Sequence, residues 1–74
     1  MTNTSTMTAG EKRLAIAIVL QEYFDQCQIE MDRESIGEVT RKGNIFTVAY
    51  NEGWANFLNL VNIRTRRFIK TVEA

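Results

Sequence analysis

The stretch IFTVAY at residues 45–50 alternates large apolar residues with small or polar ones, and this alternation constrains the fold more than any other feature. A period of two is typical of a β-strand with one buried face. One face takes Thr47 and Ala49, and the other takes three large side chains: Phe46, Val48 and Tyr50. The stretch therefore predicts a strand that packs its larger side chains into a core.

Turn signals flank this strand on both sides. Gly43 precedes it and Gly53 follows it, and glycine readily takes the positive φ that tight turns require. We expect an antiparallel hairpin on each side, with residues 52–53 at the centre of the second turn. This placement gives the following pairs: Val48 with Phe57, and Tyr50 with Ala55.

The N-terminal third has the pattern of a capped helix. Thr8 is followed three residues later by Glu11, the capping-box spacing in which each side chain accepts a hydrogen bond from the other residue's backbone N–H. The pattern predicts a helix over residues 9–27. At 100° per residue, one apolar stripe should face the core; its members are Ile16, Leu20, Tyr23, Phe24 and Cys27.

A second apolar strip on this helix contains Leu14 and Ile18 and, less closely, Val19. It has two readings. In the structural one, the chain flanks the helix on two sides or these are single exposed apolar residues; in the functional one, the strip faces a partner, with Leu14 and Ile18 as contact residues. A homodimer built on Leu14 and Ile18 is a further alternative, although we expect a monomer when the protein is alone.

The last third has two interpretations. As a helix, apolar residues and one threonine repeat at alternating spacings of four and three: Trp54, Leu58, Val61, Thr65, Phe68 and Val72. As strands, it is rich in β-favouring residue types, and its asparagines compete with the helical backbone for hydrogen bonds. We favour strands at residues 54–62 and 67–72, joined by a turn at residues 64–66.

These elements predict an α+β fold, with an N-terminal helix packed on a small antiparallel meander sheet of three to four strands. A helical segment at residues 54–72 is the alternative. We expect residues 1–8 to be a flexible leader and residues 9–74 to be one small domain, because 74 residues leave room for only one core.

Composition argues against an enzyme. The chain contains no histidine, and its four glycines are scattered singly, so it has no phosphate-binding loop. Cys27 is its only cysteine, and the predicted buried stripe would make it structural. We therefore expect no catalytic residue, no cofactor and no metal. The longest apolar run, residues 14–20, is too short to cross a bilayer. Together with the single cysteine, this favours the cytoplasm.

Charge is divided between the two halves of the chain. Residues 1–40 carry three basic and seven acidic residues, whereas residues 41–74 carry six basic and two acidic ones. Four of the six form a basic patch: Arg64, Arg66, Arg67 and Lys70. Arginine suits carboxylate and phosphate because its planar fork bonds both oxygens. The patch predicts contact either with an acidic protein surface or with nucleic acid.

Aromatic residues interleave with the basic ones, as they do in sheets that stack single-stranded bases. However, core is the predicted role for most of these aromatics, which are Phe46, Tyr50, Trp54, Phe57 and Phe68. The net charge of the whole chain is also zero. A basic patch on a neutral body fits an acidic protein surface, or nucleic acid held within a larger complex. Direct binding of RNA or single-stranded DNA is the alternative function.

The small size, the polar leader MTNTSTMTAGEKR, the single helix and the basic end RTRRFIK give the chain a family resemblance. It resembles the small RNA-polymerase-binding transcription regulators and antiterminators encoded by bacteriophages such as those of Xanthomonas. The resemblance implies a non-enzymatic protein that binds the polymerase near its RNA exit in the cytoplasm of the host cell. It also implies modulation of transcription initiation or termination. If the chain works in this way, the leader together with Lys12 and Arg13 is expected to be a docking segment, since a flexible tail can order on a partner.

Overall fold

A computed structural model describes residues 7–74. They form one helix, then a short 3₁₀ turn at Arg33–Ser35, and then four strands. The elements are α1 (Ala9–Cys27), β1 (Ile36–Lys42), β2 (Ile45–Glu52), β3 (Ala55–Asn62) and β4 (Arg67–Glu73). The strands form one antiparallel sheet in the order β1-β2-β3-β4, and α1 packs on one side of it. This confirms the predicted α+β class and the strand interpretation of the last third.

Helix α1 has the predicted bounds and the predicted cap. The Thr8 Oγ1 atom accepts from the Glu11 backbone N–H at 3.0 Å, and the Glu11 carboxylate accepts from the Thr8 N–H at 2.9 Å. The helix ends at Gln28, whose φ of 61° is left-handed and whose N–H donates to the Phe24 carbonyl. Thr8 is therefore part of the ordered domain, as is Met7, which packs against the core. The rest of the predicted flexible leader, residues 1–6, lies outside the described residues.

Two-residue turns connect β1 to β2 and β2 to β3. Each begins with a glycine of positive φ, 63° at Gly43 and 65° at Gly53, followed by a residue of negative φ. Positive φ at only the first central residue is the pattern of a type II′ turn. The second turn is centred on residues 53–54 instead of 52–53, so Tyr50 pairs with Phe57 and the predicted register was wrong. The error of two residues leaves each side chain on its predicted face.

Both outer strands contain a β-bulge. In β1, two residues, Gly37 and Glu38, lie opposite the single residue Ala49 of β2. In β4, Ile69 is the extra residue, because Lys70 pairs with Leu60 while Phe68 already pairs with Val61. The two central strands pair with each other without interruption over residues 45–62.

The core lies between α1 and the sheet. Its buried apolar side chains among the described residues are Ala15, Val19, Met31, Phe46, Val48, Tyr50 and Val61. One polar side chain is buried with them: Asn59 donates to the Val48 carbonyl at 3.3 Å and accepts from the Thr71 hydroxyl at 2.7 Å. Because these hydrogen bonds satisfy its amide, Asn59 lies in the core without an unpaired polar atom.

The predicted core stripe of α1 was wrong in its orientation. Ala15 and Val19 are fully buried against the sheet, a face rotated by roughly 100° from the predicted one. Ile16, Leu20 and Tyr23 are half-buried and pack against the core, whereas Phe24 and Cys27 are exposed. The exposure of Cys27 also contradicts its predicted structural role in the core.

Candidate docking surface

The turn between β3 and β4 is built by Asn62. Its side-chain oxygen accepts from the backbone N–H groups of Arg64 at 3.0 Å and of Thr65 at 3.2 Å. Arg66 completes the turn with a φ of 59°, a left-handed conformation that is unfavourable for a residue with a Cβ. The turn therefore holds two arginine side chains in solvent at the end of the hairpin.

This turn lies next to the turn between β1 and β2. The Ile63 N–H donates to the Asn44 carbonyl at 2.9 Å, which joins the two turns directly. In the adjoining row of the sheet, Lys42 pairs with Ile45, whose other neighbour is Asn62. The structure thus adds a fifth cation to the four predicted ones. We call this group the basic end, and its members are Lys42, Arg64, Arg66, Arg67 and Lys70.

The charges of the basic end point to solvent. All five side chains are exposed, and within residues 7–74 none of them forms a salt bridge. The salt bridge that the described chain does contain joins Arg41 to Glu11 at 3.5 Å, and the Arg41 guanidinium also lies 5.5 Å from the centroid of Phe46. Arg41 is therefore engaged on the helix side of the sheet, whereas the basic end is available to a partner.

The face of the sheet opposite α1 is left uncovered by the described chain, and we call it the open face. Strand pairing and alternation place these side chains on it: Thr40, Lys42, Ile45, Thr47, Ala49, Asn51, Asn56, Leu58, Leu60, Asn62, Arg67, Lys70 and Val72. Its centre is aliphatic and half-buried, and asparagines occupy part of both ends. Three residues of the basic end belong to it, so the aliphatic centre and the cations form one continuous surface.

The aromatic residues of the sheet lie on the other face. Phe46, Phe57 and Phe68 pack toward α1. Tyr50 does so too, with its ring centroid 5.7 Å from that of Tyr23 and 6.5 Å from that of Phe57. Trp54 is 98% exposed, but it sits in the β2–β3 turn at the opposite end of the sheet from the basic end. The core role predicted for most of the aromatics is confirmed for these four, and Trp54 is the exception.

Among the ionisable groups of residues 7–74, Tyr50 has a pKa that departs clearly from its usual value. Burial raises the pKa of its phenol well above the usual value, and its hydrogen bond and electrostatic interaction with Tyr23 and its proximity to Glu52 raise it further. The Tyr50 hydroxyl donates to a Glu52 carboxylate oxygen at 3.4 Å. This phenol is thus held protonated inside the core, far from the basic end.

The four helix residues predicted to bind a partner are split by the structure. Lys12 and Arg13 are exposed, Leu14 is half-buried, and Ile18 packs against the core. The bond from Arg41 to Glu11 brings the first turn of α1 to the same end of the sheet as the basic end. Lys12 and Arg13 therefore extend the positive charge at that end, although they belong to the helix layer.

A shallow groove separates the second half of α1 from the connector to β1. Its apolar walls come from Leu20, Phe24 and Met31, and its rim carries Glu30, Asp32 and Glu34. Asp32 has a structural role there, because its carboxylate accepts from the Glu34 N–H and caps the 3₁₀ turn. Within residues 7–74, no group of three or more acidic or cysteine side chains is arranged to hold a metal ion.

The open face is the feature that sequence reasoning missed. The signal for it lies in β3, where Phe57, Leu58, Leu60 and Val61 are apolar on both faces of one strand. A solvated antiparallel sheet normally has polar residues on its outer face. The excess of apolar residues in β3 could therefore have indicated a second surface that needs covering.

No helix in the described part of the chain is long and apolar enough to cross a membrane. A scan against protein-family models and searches of curated proteins and of solved structures found no match to the chain.

Proposed function

We propose that this protein is a small non-enzymatic regulator that works by binding a larger protein complex. The basic end is the observation that carries the proposal. Four of its five exposed cations lie in or beside the two joined turns, and the fifth, Lys70, lies further along β4, while the rest of the molecule balances their charge. Desolvation of unpaired arginines is favourable only where a partner supplies carboxylates or phosphates, and such contacts fix the orientation of a docked partner.

Acidic protein fits this surface better than single-stranded nucleic acid. Proteins that bind single strands combine cations with aromatic side chains on which the bases stack. Here the aromatics of the sheet face the helix, and Trp54 lies at the far end from the basic end. Direct binding of RNA or single-stranded DNA is the competing function, and it would rest on phosphate contacts alone.

Bacterial RNA polymerase is the first complex to test. The family resemblance supplies this partner, together with the expected site near the RNA exit and an effect on initiation or termination in the cytoplasm of the host. In this proposal Lys12 and Arg13 assist the basic end, because the first turn of α1 lies at the same end of the molecule.

Purified bacterial RNA polymerase, immobilised and challenged with this protein, provides the test. We expect stoichiometric retention of the wild-type protein, together with altered initiation or read-through in a transcription assay. Arg64→Glu should weaken retention by about tenfold or more, because it replaces a favourable charge contact with a repulsive one. Arg33→Glu, the same change at an exposed arginine outside the basic end, should leave retention unchanged.

Two outcomes would contradict the proposal. The first is a wild-type protein that no bacterial polymerase retains and that leaves transcription unaffected. The second is affinity for RNA or single-stranded DNA alone, with a steep dependence on salt that Arg64→Glu reduces, since that behaviour indicates phosphate contacts.

A further inference from the structure

The centre of the open face is aliphatic, although the solvent-facing side of an antiparallel sheet is normally polar. Ile45 lies on β2, Leu58 and Leu60 lie on β3, and Val72 lies on β4. Each is half-buried, and none lies on the side that α1 covers. Since an outward face of an antiparallel sheet is normally polar, a contiguous apolar centre ringed by polar residues indicates an interaction site.

The strand-paired positions of the open face carry charge of one sign. Lys42 lies on the outer strand β1, and Arg67 and Lys70 lie on the outer strand β4. No strand-paired position on this face is Asp or Glu; Glu38 lies in the β1 bulge opposite Ala49, at the edge of the face. In a face-to-face contact between two copies, the three cations of each copy would meet at most this one carboxylate of the other. The occupant must therefore bring acidic groups as well as apolar ones.

The spacing of the cations selects the shape of the occupant. The outer strands lie three strand spacings apart, which is about 14 Å. An α-helix with its side chains is about 10–12 Å wide, so one helix fits along β2 and β3, between Lys42 on β1 and the two cations on β4. In that position its apolar stripe meets the aliphatic centre, and carboxylates on its two flanks face Lys42 on one side and Lys70 on the other.

We propose that the open face docks an acidic amphipathic helix of the larger complex. This inference rests on the proposed function, since it names the chemistry of the partner element and the surface that receives it. The apolar stripe of the partner helix packs on Ile45, Leu58 and Leu60. Its carboxylates pair with the cations of β1 and β4, and Arg64 and Arg66 extend the contact beyond the end of the sheet.

A synthetic helix can test this without knowing the partner. The probe is a peptide of about 18 residues, long enough to be helical, with leucine along one face and glutamate on the others. Methyl NMR of the full chain should show saturable shifts at Ile45, Leu58, Leu60 and Val72. The methyl groups of Val19 and Val61, which lie between α1 and the sheet, are internal controls and should not shift. A matched peptide with lysine in place of glutamate should not bind.

Variants on the two faces complete the design. Leu58→Thr and Lys70→Glu should each weaken the peptide by about tenfold, through lost apolar contact and through repulsion respectively. Arg33→Glu, on the helix side, should leave its affinity unchanged. Each variant is first checked for the wild-type circular dichroism spectrum, so that loss of binding is not loss of folding.

Binding of the lysine peptide with equal affinity, shifts confined to the groove beside α1, or no shifts at all would overturn the inference. The polymerase experiment separates this failure from that of the proposed function. If polymerase retains the Leu58→Thr variant as strongly as it retains the wild-type protein, the proposed function stands and the open face is not the docking site. If the peptide binds the open face but polymerase retains nothing, the docking chemistry stands and the proposed complex is wrong.

Discussion

The two faces of the sheet are made by the same four strands, yet they differ in side-chain chemistry. The helix side carries the aromatics, three fully buried side chains (Phe46, Val48 and Val61) and a buried asparagine whose hydrogen bonds are satisfied. The open side carries aliphatic residues that are half-buried, together with threonines, asparagines and three cations. Successive residues of a strand thus serve different surfaces.

This difference teaches that stability and recognition can be changed separately. Because a strand alternates, a substitution at one position reaches the core while its neighbour reaches only the open face. A small domain has a margin of only a few kcal/mol, so its core face tolerates little change. The open face contributes less to the buried core, so its residues can change with a smaller loss of stability.

The largest expected effect is on the helix side. Phe46→Ala removes a fully buried ring and should lower the free energy of unfolding by about 3–5 kcal/mol, enough to unfold the domain. Leu60→Ala, on the open face, should cost about 1 kcal/mol, because that side chain is only half-buried. Urea denaturation followed by circular dichroism measures both; fluorescence is unsuitable because Trp54 is already exposed. Equal losses in the free energy of unfolding for the two variants would contradict the conclusion that the helix side contributes more to stability than the open face.

Substitution of a threonine should change the free energy of unfolding less, and the two positions to compare are Thr71 on β4 and Thr47 on β2. Thr71→Val removes the hydroxyl that donates to the Asn59 side chain, which leaves a buried acceptor unpaired and should cost about 1–2 kcal/mol. Thr47→Val, the same change on the open face, should stay within about 0.5 kcal/mol. The same denaturation experiment decides, and a Thr47→Val loss as large as that of Thr71→Val would contradict the assigned faces.

The smallest effect concerns Tyr50 in alkaline solution. Its pKa in the folded protein is raised, so the unfolded chain releases the phenol proton first, near pH 10. The contribution of the Tyr50 phenol to the free energy of unfolding is therefore fully present below pH 10. It falls as the pH rises above that value, by about 1 kcal/mol at pH 10.5. Tyr50→Phe should remove this part of the decline, which denaturation at pH 8 and 10.5 measures. An identical decline in the variant would show that Tyr50 does not titrate on unfolding.

Local signals made much of the fold predictable from the sequence. The capping residues Thr8 and Glu11 located the start of α1, and Gly43 and Gly53 located two turns. The asparagines of β3 correctly favoured strand over helix, because two of them have roles in the sheet: Asn59 bonds across strands and Asn62 builds a turn. Each of these signals depends on a residue and its near neighbours in the chain.

Features that depend on contacts distant in the sequence were not predictable. The side of α1 that is buried, which includes Ala15 and Val19, depends on contacts with the sheet that no helical wheel contains. Lys42 joined the basic end only because one turn hydrogen-bonds to another through Ile63 and Asn44. The sequence thus predicted the arginines of the candidate site. The open face beside them could be identified only once the register of the whole sheet was known.

The bulges in β1 and β4 bear on how this molecule can meet others. An uninterrupted outer strand offers a ladder of free amides and carbonyls on which a foreign strand can extend the sheet. Here the extra residue in each outer strand kinks that ladder within the first three residues of the strand, at Gly37–Glu38 on one border and at Ile69 on the other. Growth sideways into fibrils is thereby discouraged, so the aliphatic open face is carried by a sheet whose two borders are poor templates for further strands.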